Sequence, residues 1–419
     1  MRVLTRKTVA TVLFWACLAL PYPATATEWS ATPALRLQGA YYNNILFTTL
    51  PHHITWGATL SPSVNFSGKS KTFQVTGGAR LNFHHYWGTP GLDNTDKILT
   101  LHSGYQPDLR DTFGLGVNST QNSTLINSVT TTGVVEPMLL TNLLAITPSW
   151  SRLLTERTRL SFQYSNSRVN YVNPNGGSLA SVGVVDYRDQ AATMTTRYTL
   201  SERSALTFQV SGDDFNTASD SYRARTYGTT AGISYALSQT MRGHLNVGVN
   251  HTQSTLSSET LVCSGHIFLG LCFGTIIPLA TAIRANVNTV TMNAGLTKHW
   301  QTRDISLDYT RAVIPSGVGS LIQDDALDFS LSNRLSQTLT ASLQASAVTT
   351  RFLGNAAAYG TSRYYQVAPA LSWRVSRWWT VTTSIIYANV AYTASGESAS
   401  SDSVYLTLRR NWPAFIVSR

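Results

Sequence analysis

Seven arginines carry the most suggestive chemistry in this 419-residue chain. Arg36, Arg80, Arg159, Arg197, Arg334, Arg374 and Arg409 each alternate with apolar residues, so each points away from the apolar side of its segment. A guanidinium keeps its charge at every accessible pH and presents a fork of donors to carboxylate, phosphate or sulfate groups. Basic side chains ringing an enclosed space favour anions. Asp308 and Asp328 are the clearest acids of the same parity. The competing reading is that the arginines pair with loop carboxylates or sit in a wet interior.

Two further constellations could carry chemistry. Cys263 and Cys272 lie in one loop, and in an oxidising compartment such a pair forms a local disulfide. A metal pair is the alternative, with only His266 nearby. The histidines are scattered: His52 and His53 in a loop, His84 and His85 at a strand end, His244 and His251 on one strand, His299 near a turn. His84 and His244 share the arginine parity, but no serine motif or paired acid accompanies either in sequence, so no enzyme is expected. His52, His53, His84 and His85 meeting at a rim as a metal site is outweighed by unliganded loop histidines. No metal and no cofactor is therefore expected.

These residues must be positioned by strands. Leu245-Asn246-Val247-Gly248-Val249-Asn250 and Leu339-Thr340-Ala341-Ser342-Leu343-Gln344 alternate apolar and polar residues, as do segments throughout the chain. Charged residues are 12%, about half the usual share. Beyond the start of the chain no apolar run is long enough for a helical span. Residues 1–26 combine Arg2, Arg6 and Lys7, an apolar run and Ala24-Thr25-Ala26, the layout of a secretory signal peptide cleaved after Ala26. The net charge of +10 includes those three cations, and no Lys/Arg cluster points to nucleic acid.

Short links such as Thr155-Glu156-Arg157, Ser201-Glu202-Arg203 and Ser336-Gln337-Thr338 alternate with longer polar ones near 43–52, 88–95, 125–139, 172–187, 213–221, 255–285, 313–323, 353–361 and 394–401. That rhythm is the signature of a barrel threaded through the outer membrane, with short periplasmic turns and long external loops. It predicts an all-β fold over 27–419: a single antiparallel transmembrane β-barrel of about eighteen strands, within sixteen to twenty, both termini periplasmic. The segments at 96–106 and 203–213 are weak. The turns Leu154-Thr155-Glu156-Arg157, Leu200-Ser201-Glu202-Arg203, Leu237-Ser238-Gln239-Thr240 and Leu335-Ser336-Gln337-Thr338 repeat one unit, a hairpin. Pro62, Pro148 and Pro369 recur in similar settings and suggest bulges. Tyr41, Tyr42, Tyr86, Trp87, Trp150, Trp300, Trp373 and Trp379 fall where interfacial girdles would lie. The apolar 255–285 segment is read as a plug folded into the mouth, or as a contact for a partner.

The leader, the full-length alternation and the Leu-Ser-Glu-Arg and Leu-Ser-Gln-Thr turns resemble proteobacterial outer-membrane β-barrels described as β-barrel porins, some from exopolysaccharide or exosortase-type gene clusters. The resemblance implies a passive channel, with surface-polysaccharide export as one role, and as partners outer-membrane lipid, the barrel-assembly machinery and an anionic polysaccharide or small solutes. A structural or assembly barrel with a closed lumen, and an outer-membrane hydrolase, are the other readings. The chain departs from the usual ending: Val404-Tyr405-Leu406-Thr407-Leu408 runs to Trp412, and Pro413 to Arg419 follow as a tail.

Overall fold

The computed structural model describes residues 28–418 apart from 50–51, 125–137, 174–183, 264–265, 269–270, 274–275, 354–359 and 394–395, with side chains described outside 258–280. The leader and its cleavage site therefore lie outside the described residues. The first eleven strands are β1 (Glu28–Tyr42), β2 (Thr55–Lys69), β3 (Phe73–Trp87), β4 (Asn94–Tyr105), β5 (Asp111–Ser123), β6 (Leu140–Thr155), β7 (Thr158–Val172), β8 (Tyr187–Ser201), β9 (Ser204–Thr217), β10 (Tyr222–Ala236) and β11 (Met241–Cys263). Seven more follow: β12 (Ile276–His299), β13 (Arg303–Pro315), β14 (Leu321–Arg334), β15 (Leu339–Phe352), β16 (Thr361–Arg374), β17 (Trp379–Tyr392) and β18 (Glu397–Asn411).

Every strand is antiparallel to its sequence neighbours, and β18 closes on β1 from Ala34 opposite Asn411 to Tyr42 opposite Ser403. The fold is a closed antiparallel barrel of eighteen strands. Closure matters because an open edge would leave a row of unpaired backbone groups. The two weak segments are full members, as β4 and β9.

The repeated turn motif has a physical cause. Thr155 Oγ1 accepts the N–H groups of Arg157 and Thr158, and Ser201 Oγ those of Arg203 and Ser204. Ser336 Oγ does the same for Thr338 and Leu339. The hydroxyl thus satisfies donors that the tight reversal would otherwise leave open. The eight short turns lie at one end of the barrel, and the longer connections at the other.

Alternation sorts the side chains onto two faces. Outward stand Leu37, Leu99, Leu144, Phe208, Val249, Ile385 and Leu406, all exposed, with Leu406 at 58%. Trp56, Trp87, Tyr235, Trp300, Trp373 and Trp379 join them near strand ends. At the turn end Arg410 stacks over Trp379 and Trp412, and Lys298 over Trp300. Tyr42 and Tyr86, placed in the girdle by sequence, instead point inward and pack with Tyr405, Ile45 and Leu92.

Four expectations change. The prolines do not mark bulges: pairing lapses at Pro62, Pro148 and Pro369, then resumes in the same register at Ser63 opposite Arg80, Ser149 opposite Gln163 and Ala370 opposite Ser384. Proline merely lacks the donor for that rung. The segment at 255–285 is no irregular loop, since β11 and β12 continue their ladder to Cys263 opposite Ile276. At 23 and 24 residues they outrun every other strand, so the described backbone extends the wall as a ribbon. The 213–221 and 313–323 links shorten because β9 continues to Thr217 and β14 begins at Leu321. The C-terminal tail is not free: Pro413 interrupts the ladder, and Phe415–Ser418 then pairs with Ala31 to Glu28 of β1.

Candidate functional site

All seven arginines named from sequence have inward parity in the barrel. Closure brings together three that are far apart in the chain. Arg36 on β1 stands opposite Arg409 on β18, and Arg80 projects from β3 beside Ser63. The three line one recess of about 310 Å³ with Ser61, Asn65 and Thr100, and no carboxylate contributes to that lining. Arg36 donates to Ser61 Oγ (3.4 Å) and Arg409 to Asn411 Oδ1 (2.9 Å). Opposed like charges are normally destabilising, so an unneutralised guanidinium cluster marks a place that attracts anions.

A second opposed pair, Arg159 with Arg197 on β7 and β8, lies near the turn end. Arg334 and Arg374 sit at the turn ends of β14 and β16, where Arg374 donates to the Gln337 carbonyl (3.3 Å). None of the seven makes an ion pair among the described residues. Arg242, opposite Thr297, also has inward parity and was missed.

The inner wall is less one-sided than the sequence implied. Asp308 and Asp328 face each other across β13 and β14. The His244 ring and the Asp308 carboxylate both occupy the space that a Cβ at Gly295 would fill, and His244 Nε2 meets Asn293 Oδ1 at 2.8 Å. Asp189 on β8 and Asp213 on β9 also have inward parity, and Asp324 accepts from Thr350 (2.9 Å). These inward acids escaped the sequence reading because their strands are bordered by long polar connections, which blur the parity. The wall is therefore divided: arginines gather at the β18–β1–β3 seam and acids from β13 to β14 and on β8 and β9.

His84 gains partners that sequence alone did not show. Thr59 Oγ1 lies 2.9 Å from its Nδ1 and Asp96 Oδ2 2.8 Å from its Nε2, while Asn82 also donates to Asp96 (3.0 Å). The hairpin register, which puts Thr59 opposite His84 and Asn82 opposite Asp96, was the available signal. His85 instead points outward to Asp93 (2.6 Å), so His84 and His85 do not converge, and no metal-binding group of three occurs among the described residues.

The loop end narrows by inward folding of short connections. After β1 the chain turns into the barrel: Ile45 is 2% exposed against Tyr42 and Leu92, and Phe47 packs on Val348, Tyr364 and Val390. Asn44, also 2% exposed, donates to the Thr48 and Ser400 carbonyls and accepts the Thr48 N–H. Phe47 is held at φ 50°, a region costly for a non-glycine residue. A second cluster joins Phe215, Tyr222, Ala224 and Leu321. Among the described residues, inward packing at the loop end thus comes from the β1–β2 connection and its neighbours.

In the 255–285 ribbon, Cys263 stands opposite Ile276 and Cys272 opposite Ile267, so the two cysteines are not cross-strand partners in this register. Their side chains, and with them the disulfide, lie outside the described residues.

Neither a protein-family model nor a curated protein sequence matches the chain. Among solved structures it is similar to the outer membrane channel DcaP of Acinetobacter baumannii (11% identity, 94% of this chain and 99% of that one, TM-score 0.47). It is likewise similar to OpdQ of Pseudomonas aeruginosa (10%, 92% and 99%, 0.46) and to OccAB4 of Acinetobacter baumannii (12%, 92% and 98%, 0.44).

Proposed function

We propose that the protein is an outer-membrane channel, not an enzyme, through which polar and preferentially anionic solutes pass passively. Export after cleavage at Ala26 and insertion by the barrel-assembly machinery, with both termini and the short turns periplasmic, belong to this reading. The exposed apolar outer face supports the membrane placement, because a soluble barrel would gain nothing from a closed band of exposed Leu, Val and Phe. Eighteen strands enclose enough room for an aqueous path. The observation that carries the anionic preference is the Arg36–Arg80–Arg409 recess, which contains no acid. The same wall suits small anions or an acidic surface polysaccharide, since both present carboxylate or phosphate to guanidinium groups.

One observation favours a rival reading, a barrel closed for structural or assembly purposes: the apolar packing of Ile45, Phe47 and Leu92 inside the loop end. Planar-bilayer recording with a salt gradient decides between them. Discrete conductance steps with an anion-selective reversal potential are expected. Absence of conductance removes the channel reading, and cation selectivity removes the role given to the arginines.

A further inference from the structure

The outer face of the barrel is not evenly convex. Across β2 to β7 it carries a groove of about 830 Å³, floored by Val64, Ala79, Leu81, Leu99 and Leu144 and edged by Lys97 and Arg168. At Leu144, Arg168 and Asn170 it merges with a second hollow of about 530 Å³ that adds Ile146, Asn166 and Arg188. The depth has a sequence cause. One ladder row runs Val64, Ala79, Leu99, Ser119, Leu144, Arg168, Arg188, and its small members Ala79 and Ser119 leave the space that the leucines on either side wall off. The exposed Leu81, Leu99 and Leu144 establish that this row faces outward.

The groove holds two cations in direct register. Arg168 and Arg188 are direct register partners, an arrangement that like charges disfavour unless an anion lies between them. Neither they nor Lys97 make an ion pair among the described residues, and Arg188 Nε donates only to Asn166 Oδ1 (3.0 Å). Arg223 and Arg311, also outward, are by contrast neutralised, by Asp214 (2.6 Å) and Asp325; Arg351 and Arg363 make no ion pair either, but neither stands opposite a second cation. The acids at the rim are already engaged, Asp186 with Asn170 and the Tyr171 N–H, and Asp220 with Asn216.

Apolar floor and cationic edge occur together where the leucine-bearing parts of the strands give way to their polar loop-side parts. We infer that this face binds a phosphorylated, multiply acylated lipid of the outer leaflet. Its acyl chains would lie along Leu81, Leu99 and Leu144 and its phosphate among Lys97, Arg168 and Arg188. A free anion would need no apolar floor, and an uncharged lipid would leave the Arg168–Arg188 repulsion in place. The inference rests on the outer-membrane placement proposed above, with the loops outside, but not on whether the barrel conducts.

The test uses the full chain purified in detergent and native mass spectrometry, with bis-phosphorylated lipid A as probe and dephosphorylated lipid A and phosphatidylglycerol as comparators. Wild-type protein is expected to retain lipid A and to lose the dephosphorylated form. The double variant R168Q/R188Q and the milder K97Q should lower retention, the double by at least about tenfold given two lost charge-assisted contacts. R311Q, outside the groove, should match wild type. Heat-modifiable migration in gels verifies that each variant is folded. Undiminished retention by R168Q/R188Q, or equal retention of the dephosphorylated lipid, overturns the proposal. Equal retention of phosphatidylglycerol overturns the assignment to the acylated outer-leaflet lipid. A barrel that retains lipid A yet never conducts overturns only the channel reading.

Discussion

Arg36 and Arg409, separated by nearly the whole chain, are register partners across the seam that closes the barrel. Two guanidinium groups held face to face on neighbouring strands, with Arg80 across the same recess, keep a local positive potential that no described carboxylate offsets. Replacing both with glutamine should remove most of the anion preference and bring the reversal potential close to the nonselective value. R36Q/R409Q with unchanged selectivity would show that the path for ions avoids the seam.

The opposite wall makes the complementary prediction. Asp308 and Asp328 are directly opposed, with His244 crowding Asp308 over Gly295. D308N/D328N should strengthen anion preference in the same recordings, since it removes negative charge without altering shape. A shift towards cations would mean that these acids do not face the permeating ion.

Narrowing of the loop end depends on Asn44, whose side chain organises the inward turn through Thr48 and Ser400. N44A leaves those buried backbone groups unsatisfied, at a cost of about 1–3 kcal/mol, which is enough to release Ile45 and Phe47 from the inner wall. Single-channel conductance should rise, with more open-state noise. Conductance equal to wild type would relieve this connection of any role as constriction.

Acid should loosen the β3–β4 connection. The Tyr86 N–H (2.8 Å) and His85 (2.6 Å) hold the Asp93 carboxyl below the usual carboxylate range. A carboxylate depressed in the folded state contributes its anchoring above its unfolded pKa of about 3.9 and loses it as pH falls through the lower folded value. Fluorescence of Trp87, whose ring packs on His85, should therefore change only below about pH 4, and D93N should abolish the transition. A transition near neutral pH would contradict the assignment. In the same connection Gly88 adopts φ 100°, where a Cβ would strike the Ile54 carbonyl; G88A should cost about 1–3 kcal/mol in denaturant unfolding.

The expected disulfide has its own check. With Cys263 opposite Ile276 and Cys272 opposite Ile267, a bond between the two requires the ribbon tip to leave that register. Intact-mass measurement of the exported protein, with and without reductant, should differ by the mass of two hydrogen atoms if the bond forms. Two freely alkylated thiols would retire it.

Strand number and strand parity were legible in the sequence because each rests on a local rule. Side chains alternate with period two, and a serine or threonine hydroxyl marks most of the tight turns. Parity says which wall a side chain joins but not its height or its neighbours. Those depend on register within each hairpin and on the seam, where β18 meets β1 across nearly the whole chain. So His84 between Thr59 and Asp96 and Arg168 against Arg188 follow from hairpin register, which parity alone does not fix, while Arg36 meeting Arg409 emerges only in three dimensions. The inward turn of Ile45 and Phe47 belongs there too: a short apolar connection buries itself against whatever inner wall closure provides, and no local period announces that wall.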